Sequence, residues 1–337
     1  MAGDLSDWYQ GILAAESRVA SHTVSTPLLE SESLNASLGL RLLVKPESLQ
    51  KTGSFKARGA LNFVLQTSPP DDGLFVGYSS GNHAQGLAYA AGAVGKKAHL
   101  LMPPGAPSRR IEGTRALGAE VEVLTDFIGR RDRRISEMVA EGAVFVPPFD
   151  HCHIIHGQGT VGLELARDAA GRDMKLDVAF IPTSGGGLLA GTGIAVRHQF
   201  PACQIVGVEP TGFDDFARSI AAGSPVANEQ GATTLCDGLM SPRPGTLPFQ
   251  LAAELQPDFT TVSDSDVRQA IGVLFANFNL VVEPSGAAGL AAVLKAAKSL
   301  QDKTVAVVVS GGNIDAGLFA RILDGGDVSA IASRKGR

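Results

Sequence analysis

Lys56 is the side chain in this sequence with the clearest potential for chemistry. It lies within residues 54–59 (SFKARG), and a serine- and glycine-rich segment follows at residues 79–83 (SSGNH). Two glycine turns lie further along, SGGG at residues 184–187 and SGGN at residues 310–313. Glycine lets a backbone approach a ligand closely, because no side chain stands in the way. An amine together with such turns indicates a site for a ligand that carries an aldehyde and a phosphate.

Each of these segments matches one part of such a ligand. Lys56 offers an amine for a Schiff base, Phe55 a flat face for a ring, and residues 184–187 a phosphate cradle. The hydroxyl of Ser310 could bond a ring nitrogen without keeping it protonated, as a carboxylate would. This set is typical of an enzyme that uses pyridoxal 5'-phosphate (PLP). Taken alone, Lys56 would be an ordinary solvated lysine, so the inference depends on all the segments together.

The glycine turn at residues 184–187 also permits a different interpretation. A strand, the turn and a helix start are predicted over residues 178–191, and the N–H groups there suit a phosphate. Gly185, Gly187 and Ala190 satisfy a relaxed dinucleotide fingerprint, with Glu209 about 20 residues on for a ribose. This segment alone favours NAD-type and PLP-type binding equally. A nicotinamide-dependent oxidoreductase is therefore the competing class, and Lys56 decides for PLP.

Composition limits the remaining classes. The chain has 337 residues, 44% hydrophobic and 19% charged, enough for two domains or one large α/β domain. A net charge of −5 gives no basic surface for nucleic acid. No apolar run approaches the roughly 20 residues of a membrane span, and the N-terminus lacks the features of a signal peptide. Three cysteines without zinc-like spacing indicate a soluble protein of a reducing compartment, the cytoplasm.

Apolar runs alternate with helical stretches, which predicts βαβ units and largely parallel sheets. Helices are expected from Lys56, after residues 79–83, from Gly157 and after the glycine turn. Ser79, Ser184 and Ser310 each follow a predicted strand, so they could converge on one site. The predicted strands cover residues 40–45, 74–78, 98–102, 120–124, 144–146, 178–181, 204–208 and 304–309.

With these motifs in place, the chain resembles the fold type II PLP-dependent enzymes, specifically the serine/threonine dehydratase and serine racemase family. The likeness runs from residues 26–28 to residues 310–315, with four motifs in the family's order. It implies an α/β fold of two open, twisted, mostly parallel sheets flanked by helices, similar to the tryptophan synthase β fold. It also implies a large cofactor-binding domain, residues 1–73 and 149–337, and a small mobile domain, residues 74–148, that closes over the substrate.

The resemblance assigns roles to individual residues. Lys56 would form the Schiff base and act as the base on one face of the substrate α-carbon. Phe55 and Gly238 would sandwich the ring, Ser310 would bond its nitrogen, and Asn82 would contact its 3′-oxygen. The phosphate cradle would comprise Ser184, Gly185, Gly186, Gly187 and Leu188. The substrate would be bound by Ser79, Ser80, Asn82, His83 and Ser241, with Arg131 able to reach a second carboxylate.

The reaction implied is α,β-elimination from a β-hydroxy-α-amino acid, such as serine, threonine or 3-hydroxyaspartate, giving a keto acid and ammonia. The alternative is an amino-acid racemase, in which Lys56 and Ser80 exchange a proton on opposite faces of the α-carbon. The resemblance also implies a homodimer.

Two further clusters could bind a metal. Glu209, the carbonyl of Phe213 and Asp215 resemble the family's divalent cation site, for Mg or Ca, with Mn as a further option. Residues 151–156 (HCHIIH) include His151, Cys152, His153 and His156, but their spacing suits a shared zinc poorly. A surface or supporting role is expected for that histidine cluster.

Overall fold

The computed structural model describes residues 4–67, 69–70, 73–229 and 231–326. The ends of the expected large domain, residues 1–3 and 327–337, lie outside the described residues. The β-strands are β1 (Arg41–Pro46), β2 (Phe75–Tyr78), β3 (Ala98–Met102), β4 (Glu120–Val123), β5 (Val144–Phe145), β6 (Val178–Pro182), β7 (Gln204–Pro210), β8 (Asp258–Val262) and β9 (Thr304–Val309). The α-helices are α1 (Leu5–Val19), α2 (Glu32–Leu38), α3 (Lys56–Val64), α4 (Asn82–Ala93), α5 (Ser108–Ala116), α6 (Phe127–Ala140), α7 (Cys152–Ala170), α8 (Gly187–Gln199), α9 (Asp215–Ala222), α10 (Thr246–Leu255), α11 (Asp264–Phe278), α12 (Pro284–Ala296) and α13 (Ala316–Leu323).

The described strands form two parallel sheets, as the sequence predicts. The larger has the order β1-β9-β6-β7-β8, and the smaller has the order β4-β3-β2-β5. All four strands of the smaller sheet lie within residues 74–148. The division into a fixed and a mobile domain stays a prediction.

The central strands of the larger sheet are buried on both faces. In β9, Val305 and Val307 belong to one apolar cluster, and Ala306 and Val308 belong to the cluster on the opposite face. Successive side chains of a strand point to opposite faces, so a strand between two helical layers is apolar at every position. This explains the continuous apolar run of residues 305–309.

Two sequence predictions were incomplete. β8 was missed because its residues are mostly polar and only half-buried, as suits a strand at the edge of the sheet. Helix α7 begins at Cys152, five residues before the expected Gly157. The His151 side chain caps this helix by accepting a hydrogen bond from the N–H of His153, at 3.1 Å.

Helices α3 and α8 both pack closely on α7, because glycines of α7 lie against the backbones of the other two helices. A Cβ atom on Gly157 would meet the carbonyl oxygen of Arg58 in α3. A Cβ atom on Gly162 would stand 2.5 Å from the carbonyl oxygen of Thr192 in α8. Both contacts would be closer than a real Cβ atom tolerates, so glycine is required at these two helix crossings.

A buried ion cluster lies under α3. Arg58, fully buried, donates to both Glu47 and Glu164, with contacts of 2.7 Å and 2.6 Å. Lys45, also fully buried, donates to Glu164 at 2.7 Å and to the carbonyl of Thr26 at 2.6 Å. Burial would lower the pKa of Arg58, but the two carboxylates raise it above its ordinary value. The cluster joins β1, α3 and α7 through two positive and two negative charges.

In the described ranges, no helix combines the length and apolar character that a membrane span requires.

We expect Arg58→Met to lower the free energy of unfolding by about 3–5 kcal/mol, because it leaves buried carboxylates without their partner. Denaturant titration followed by circular dichroism measures the loss. Arg41→Met is the matched control, since Arg41 pairs with Glu30 at the surface, where such a pair contributes about 0–1 kcal/mol. Equal small losses in both variants would contradict the importance of the buried cluster.

Candidate active site

The carboxyl ends of both sheets face one cavity of about 530 Å³. Ser79 follows β2, Ser184 follows β6 and Ser310 follows β9, and all three line this cavity. Ligands of parallel α/β folds bind at this edge of the sheet. The convergence of these three turns agrees with the expectation from the sequence.

Lys56 is the first residue of α3 and its side chain enters the cavity. Its Nζ donates to the carbonyl oxygen of Pro148 at 2.7 Å and lies 5.0 Å from the centre of the Phe55 ring. Protein atoms surround this amine, and burial lowers the pKa of Lys56 to about 7. A substantial fraction of the amine is therefore uncharged near neutral pH and able to act as a nucleophile or base.

The glycine turn forms a close-packed wall of the cavity. A Cβ atom on Gly185 would meet the ring of Phe149, and one on Gly187 would stand 2.5 Å from Oε1 of Gln158. Gly186 has a φ of +92°, which favours glycine. The first hydrogen bond of α8 runs from the N–H of Ala190 to Gly186, so the preceding N–H groups of the first turn can bind an anion. Leu188, in this turn, also lines the cavity.

A flat ligand could lie between Phe55 and Gly238. The N–H of Phe55 donates to the carbonyl of Ser310 at 3.2 Å, which places the aromatic ring beside the end of β9. The N–H of Gly238 donates to the hydroxyl of Ser285 at 2.8 Å. Phe55, Gly238 and Ser310 line the same cavity, in keeping with the ring-binding roles predicted for them.

Residues 79–83 form the turn between β2 and α4. The hydroxyl of Ser79 accepts from the N–H of Gly81 at 3.1 Å. Ser80 lines the cavity, half-exposed, and its hydroxyl has no hydrogen bond to the described residues. Asn82 donates to Glu283 at 2.5 Å and accepts from Asn313 at 2.8 Å. Its side chain is therefore oriented by Glu283, just before α12, and by Asn313, which follows β9.

The side chain of His83 points to the chain next to β5. Its Nε2 lies 2.9 Å from the carbonyl oxygen of Val146. Burial and then the charge of Lys56 lower the pKa of His83 to about 3, so the ring is neutral and donates this hydrogen bond. The imidazole thus supports the turn. A substrate carboxylate bound here would meet the backbone N–H of His83 at the start of α4 and not the ring.

The two other expected substrate residues lie at different walls. Arg131, in α6, stacks on Tyr78 with its guanidinium carbon 4.1 Å from the ring centre, and it pairs with Asp132 at 2.8 Å. The N–H of Ser241 donates to the hydroxyl of Ser184 at 3.0 Å, which ties its loop to the glycine turn. Both residues line the cavity.

Sequence reasoning missed Arg110 and its partners. Arg110, in α5, pairs with Asp237 at 2.5 Å and lies 3.7 Å from Glu283. Its neighbour Arg109 donates to the carbonyl of Ile314 at 2.8 Å. These contacts join α5, the helix between β3 and β4, to Ile314 and to Asp237, which precedes Gly238. In the sequence, arginines along a helix look like ordinary surface residues, so nothing indicated that Arg109 and Arg110 contact residues of the expected large domain.

Glu209 lies away from the cavity, which weakens the dinucleotide interpretation. It is fully buried at the end of β7, and its oxygens accept from the N–H groups of Phe216 and Ala217 at 2.8 and 3.0 Å. Asp215 lies nearby, and its Oδ2 is buried without a hydrogen-bond partner among the described residues. Burial, the main cause, raises the pKa of Glu209 to about 8 and that of Asp215 to about 6.

The histidine cluster packs on aromatic rings. His151 and His153 lie 4.9 Å apart and meet Phe63 edge-on, while His156 meets Trp8 edge-on at 4.9 Å. Burial is the main cause that lowers the pKa values of all three histidines. Across the described part of the chain, no three His, Cys, Asp or Glu side chains are grouped as metal ligands.

Comparison with known proteins identifies the class. The family described as "Pyridoxal-phosphate dependent enzyme" matches residues 19–311, so the chain belongs to this family. It is 34% identical over 319 residues to the L-threo-3-hydroxyaspartate ammonia-lyase of Saccharomyces cerevisiae, covering 94% of this chain and 96% of the relative. It is 33% identical over 317 residues to the serine racemase of Schizosaccharomyces pombe, covering 94% and 97%.

A solved structure agrees with this assignment. The threonine deaminase of T.th. superposes with a TM-score of 0.85 at 41% identity, covering 91% of this chain and 98% of that one. The family match, together with the cavity geometry, confirms the fold type II PLP class predicted from the sequence.

Proposed function

We propose that this protein is a PLP-dependent ammonia-lyase that dehydrates a β-hydroxy-α-amino acid to a keto acid and ammonia. The observation that carries the proposal is the convergence of the Lys56 amine, the glycine turn and residues 79–83 on one cavity. The ammonia-lyases among the relatives support this choice of reaction.

The cavity fits the cofactor. The cradle at Gly185 and Gly187 is one that a Cβ atom would fill, and first-turn N–H groups of α8 suit a phosphate. Phe55 and Gly238 would hold the ring, and the Ser310 hydroxyl its nitrogen. Bound PLP supplies an aldehyde that condenses with amines and a ring that withdraws electrons from the substrate α-carbon.

The chain's own groups would act around the α-carbon. The substrate carboxylate would be bound by the hydroxyls and N–H groups of residues 79–83 at the start of α4. Lys56, whose pKa is about 7, would take the α-proton. Ser310 adds no negative charge at the ring, which favours rapid loss of the β-hydroxyl over a long-lived carbanion.

Ser80 favours a second candidate activity, racemisation. Its hydroxyl lines the cavity without a hydrogen bond to the described residues, so it can give or take a proton. Lys56 and Ser80 would then work on opposite faces of the α-carbon. The similarity to a serine racemase supports this alternative.

Arg131 supports a substrate with a second carboxylate. The rings of Tyr78 and Phe127, at 4.1 and 5.7 Å from its guanidinium carbon, hold Arg131 at the cavity wall. Planar guanidinium groups bind carboxylates through two parallel hydrogen bonds. We therefore extend the proposal to 3-hydroxyaspartate as a preferred substrate.

We further propose that the small domain, residues 74–148, closes over the substrate. Its contacts with the rest of the chain include Arg110 to Asp237 and Asn82 to Glu283, which lie beside the cavity. Closure would exclude water and bring residues 79–83 to the substrate carboxylate.

A divalent cation, Mg or Ca, with Mn as a further option, would fit at Glu209, Phe213 and Asp215. The unpartnered Oδ2 of Asp215 supports this proposal, because a buried carboxylate oxygen needs a positive partner. Asn228 donates from one amide nitrogen to Asp215 at 2.6 Å and to the carbonyl of Ser241 at 2.8 Å. A bound cation would thus stabilise the glycine turn at residues 184–187, through the contact between Ser241 and Ser184.

The homodimer and the cytoplasmic location also stay proposals. Cys152, Cys203 and Cys236, all within the described ranges, form no disulfide, which suits a reducing compartment. Sedimentation equilibrium of the purified protein measures the oligomeric state.

The purified enzyme should release keto acid and ammonia from a panel of β-hydroxy amino acids, and Lys56→Ala should reduce this turnover by at least about 10²-fold, because it removes the base. Lys51→Ala, an exposed lysine just before α3, should keep full activity. Inversion of the substrate enantiomer with little keto acid would instead show a racemase. Turnover that is unchanged in Lys56→Ala would contradict the proposal.

Arg131→Gln should lower kcat/KM for 3-hydroxyaspartate by about 10- to 100-fold, because one charge-assisted contact is lost. Turnover of threonine should change by less than about threefold, since that substrate has no second carboxylate. Arg133→Gln, on the exposed side of the same helix, is the control. Equal losses for both substrates would show that Arg131 only supports the fold.

A divalent cation at about 100 times its dissociation constant should stabilise the protein by about 2.7 kcal/mol, seen as a rise in Tm. Asp215→Asn should abolish this rise. Asp214→Asn, which changes a carboxylate paired with Arg218, should retain it. The same rise in both variants would place the cation elsewhere.

A further inference from the structure

Two donors share one backbone carbonyl beside the cavity. The oxygen of Pro148 accepts from Nζ of Lys56 at 2.7 Å and from Nε2 of Gln158 at 3.2 Å. A carbonyl oxygen has two lone pairs, so it can satisfy both donors at once. Gln158 lies in α7 with 1% of its surface exposed and also lines the cavity.

The backbone is hydrogen-bonded on both sides of the two prolines, including from His83 to Val146, but not at the prolines' own nitrogens. Pro147 and Pro148 are consecutive prolines, so neither has an N–H group to donate. Before them, the N–H of Val146 is bonded to Val76, and after them the carbonyl of Phe149 accepts from His151. The orientation of the Pro148 carbonyl therefore depends on the groups that donate to it, Lys56 at the start of α3 and Gln158 within α7.

The other end of the Gln158 amide supports this function. Its Oε1 is buried and has no hydrogen-bond partner among the described residues. A buried acceptor without a partner is costly, and an apolar side chain of similar size would avoid that cost. The amide at this position is therefore best explained by the hydrogen bond that its nitrogen donates.

We propose that Gln158 is a positioning residue for Lys56: it fixes the Pro148 carbonyl as the acceptor that holds the lysine amine in the cavity. The inference rests on the proposed function of Lys56 as the lysine that joins the cofactor. The buried bonds from Arg58 to Thr160 and Glu164 fix α3 against α7, so the spacing between the lysine and the glutamine is set by rigid elements.

The charges around Lys56 make the effect of a substitution at Gln158 predictable in sign. His83 is neutral, Arg131 is paired with Asp132, and Arg110 is paired with Asp237 beside Glu283. Asp150 accepts from the N–H groups of Thr246 and Leu247. Burial is the cause that lowers the pKa of Lys56, with no carboxylate offsetting it. A charge introduced at position 158 would therefore act on the amine directly.

The test measures the lysine itself in the full-length chain freed of cofactor. Lys56 is labelled with a small acylating reagent across pH, and its modification is followed by peptide mass spectrometry. Gln158→Met should shift the labelling midpoint down, because the ammonium form loses a fixed acceptor. Gln158→Glu should shift it up, because a carboxylate stabilises the ammonium form. Imine formation with added PLP should slow about two- to tenfold in Gln158→Met, as expected for one lost hydrogen bond.

An unchanged or raised midpoint in Gln158→Met would overturn the inference, whereas the upward shift in Gln158→Glu shows that the labelling responds to charge at this position. Gln204→Glu, at the start of β7 and bonded to Asp258, is the control and should leave the midpoint unchanged. If the buried methionine prevents folding, Gln158→Asn carries the same prediction of a downward shift, since its shorter amide cannot reach Pro148. Failure of the wild-type chain to form an imine at Lys56 would refute the proposed function, whereas an unchanged or raised midpoint in Gln158→Met refutes only the inference about Gln158.

Discussion

The buried contacts of Arg58 with Glu47 and Glu164 fix the position of α3, the helix that carries Lys56, against α7. Arg58 lies two residues after Lys56 in α3, and Glu164 lies in α7, the helix that carries Gln158. Charges that are buried with their partners tolerate little movement, because separating them leaves an uncompensated charge in a low-dielectric interior. The lysine amine is thus aimed from a helix whose position is fixed by electrostatics as well as by the glycine crossing at Gly157.

The opposite wall of the cavity depends on a second, less buried set of charges. Arg110 links α5 to Asp237, next to Gly238, and Asn82 links α4 to Glu283. The turn at residues 79–83 is therefore held against the larger sheet by side chains and not by a shared strand. Arg110 and Asp237 are only 13% and 10% exposed and Glu283 2%, so this wall of the cavity is held by largely buried charges.

Much of this could be predicted from the sequence, because the signals were local. Strands buried on both faces leave continuous apolar runs, and glycine turns mark the places where a backbone must approach a ligand. The missed features depend on tertiary structure. β8 carries polar residues because it is an edge strand, and α7 starts early because of the His151 cap. The pairing of Arg110 with Asp237 joins residues 127 positions apart, so no local pattern reveals it.

The decisive measurement is borohydride reduction of the purified, cofactor-loaded enzyme, followed by peptide mass spectrometry. If Lys56 joins the cofactor, the reduced pyridoxyl group will be found on the peptide that contains residues 54–59, and Lys56→Ala will lose the visible absorbance band. Attachment to another lysine, or a protein that binds no PLP after reconstitution, would contradict this account of the cavity.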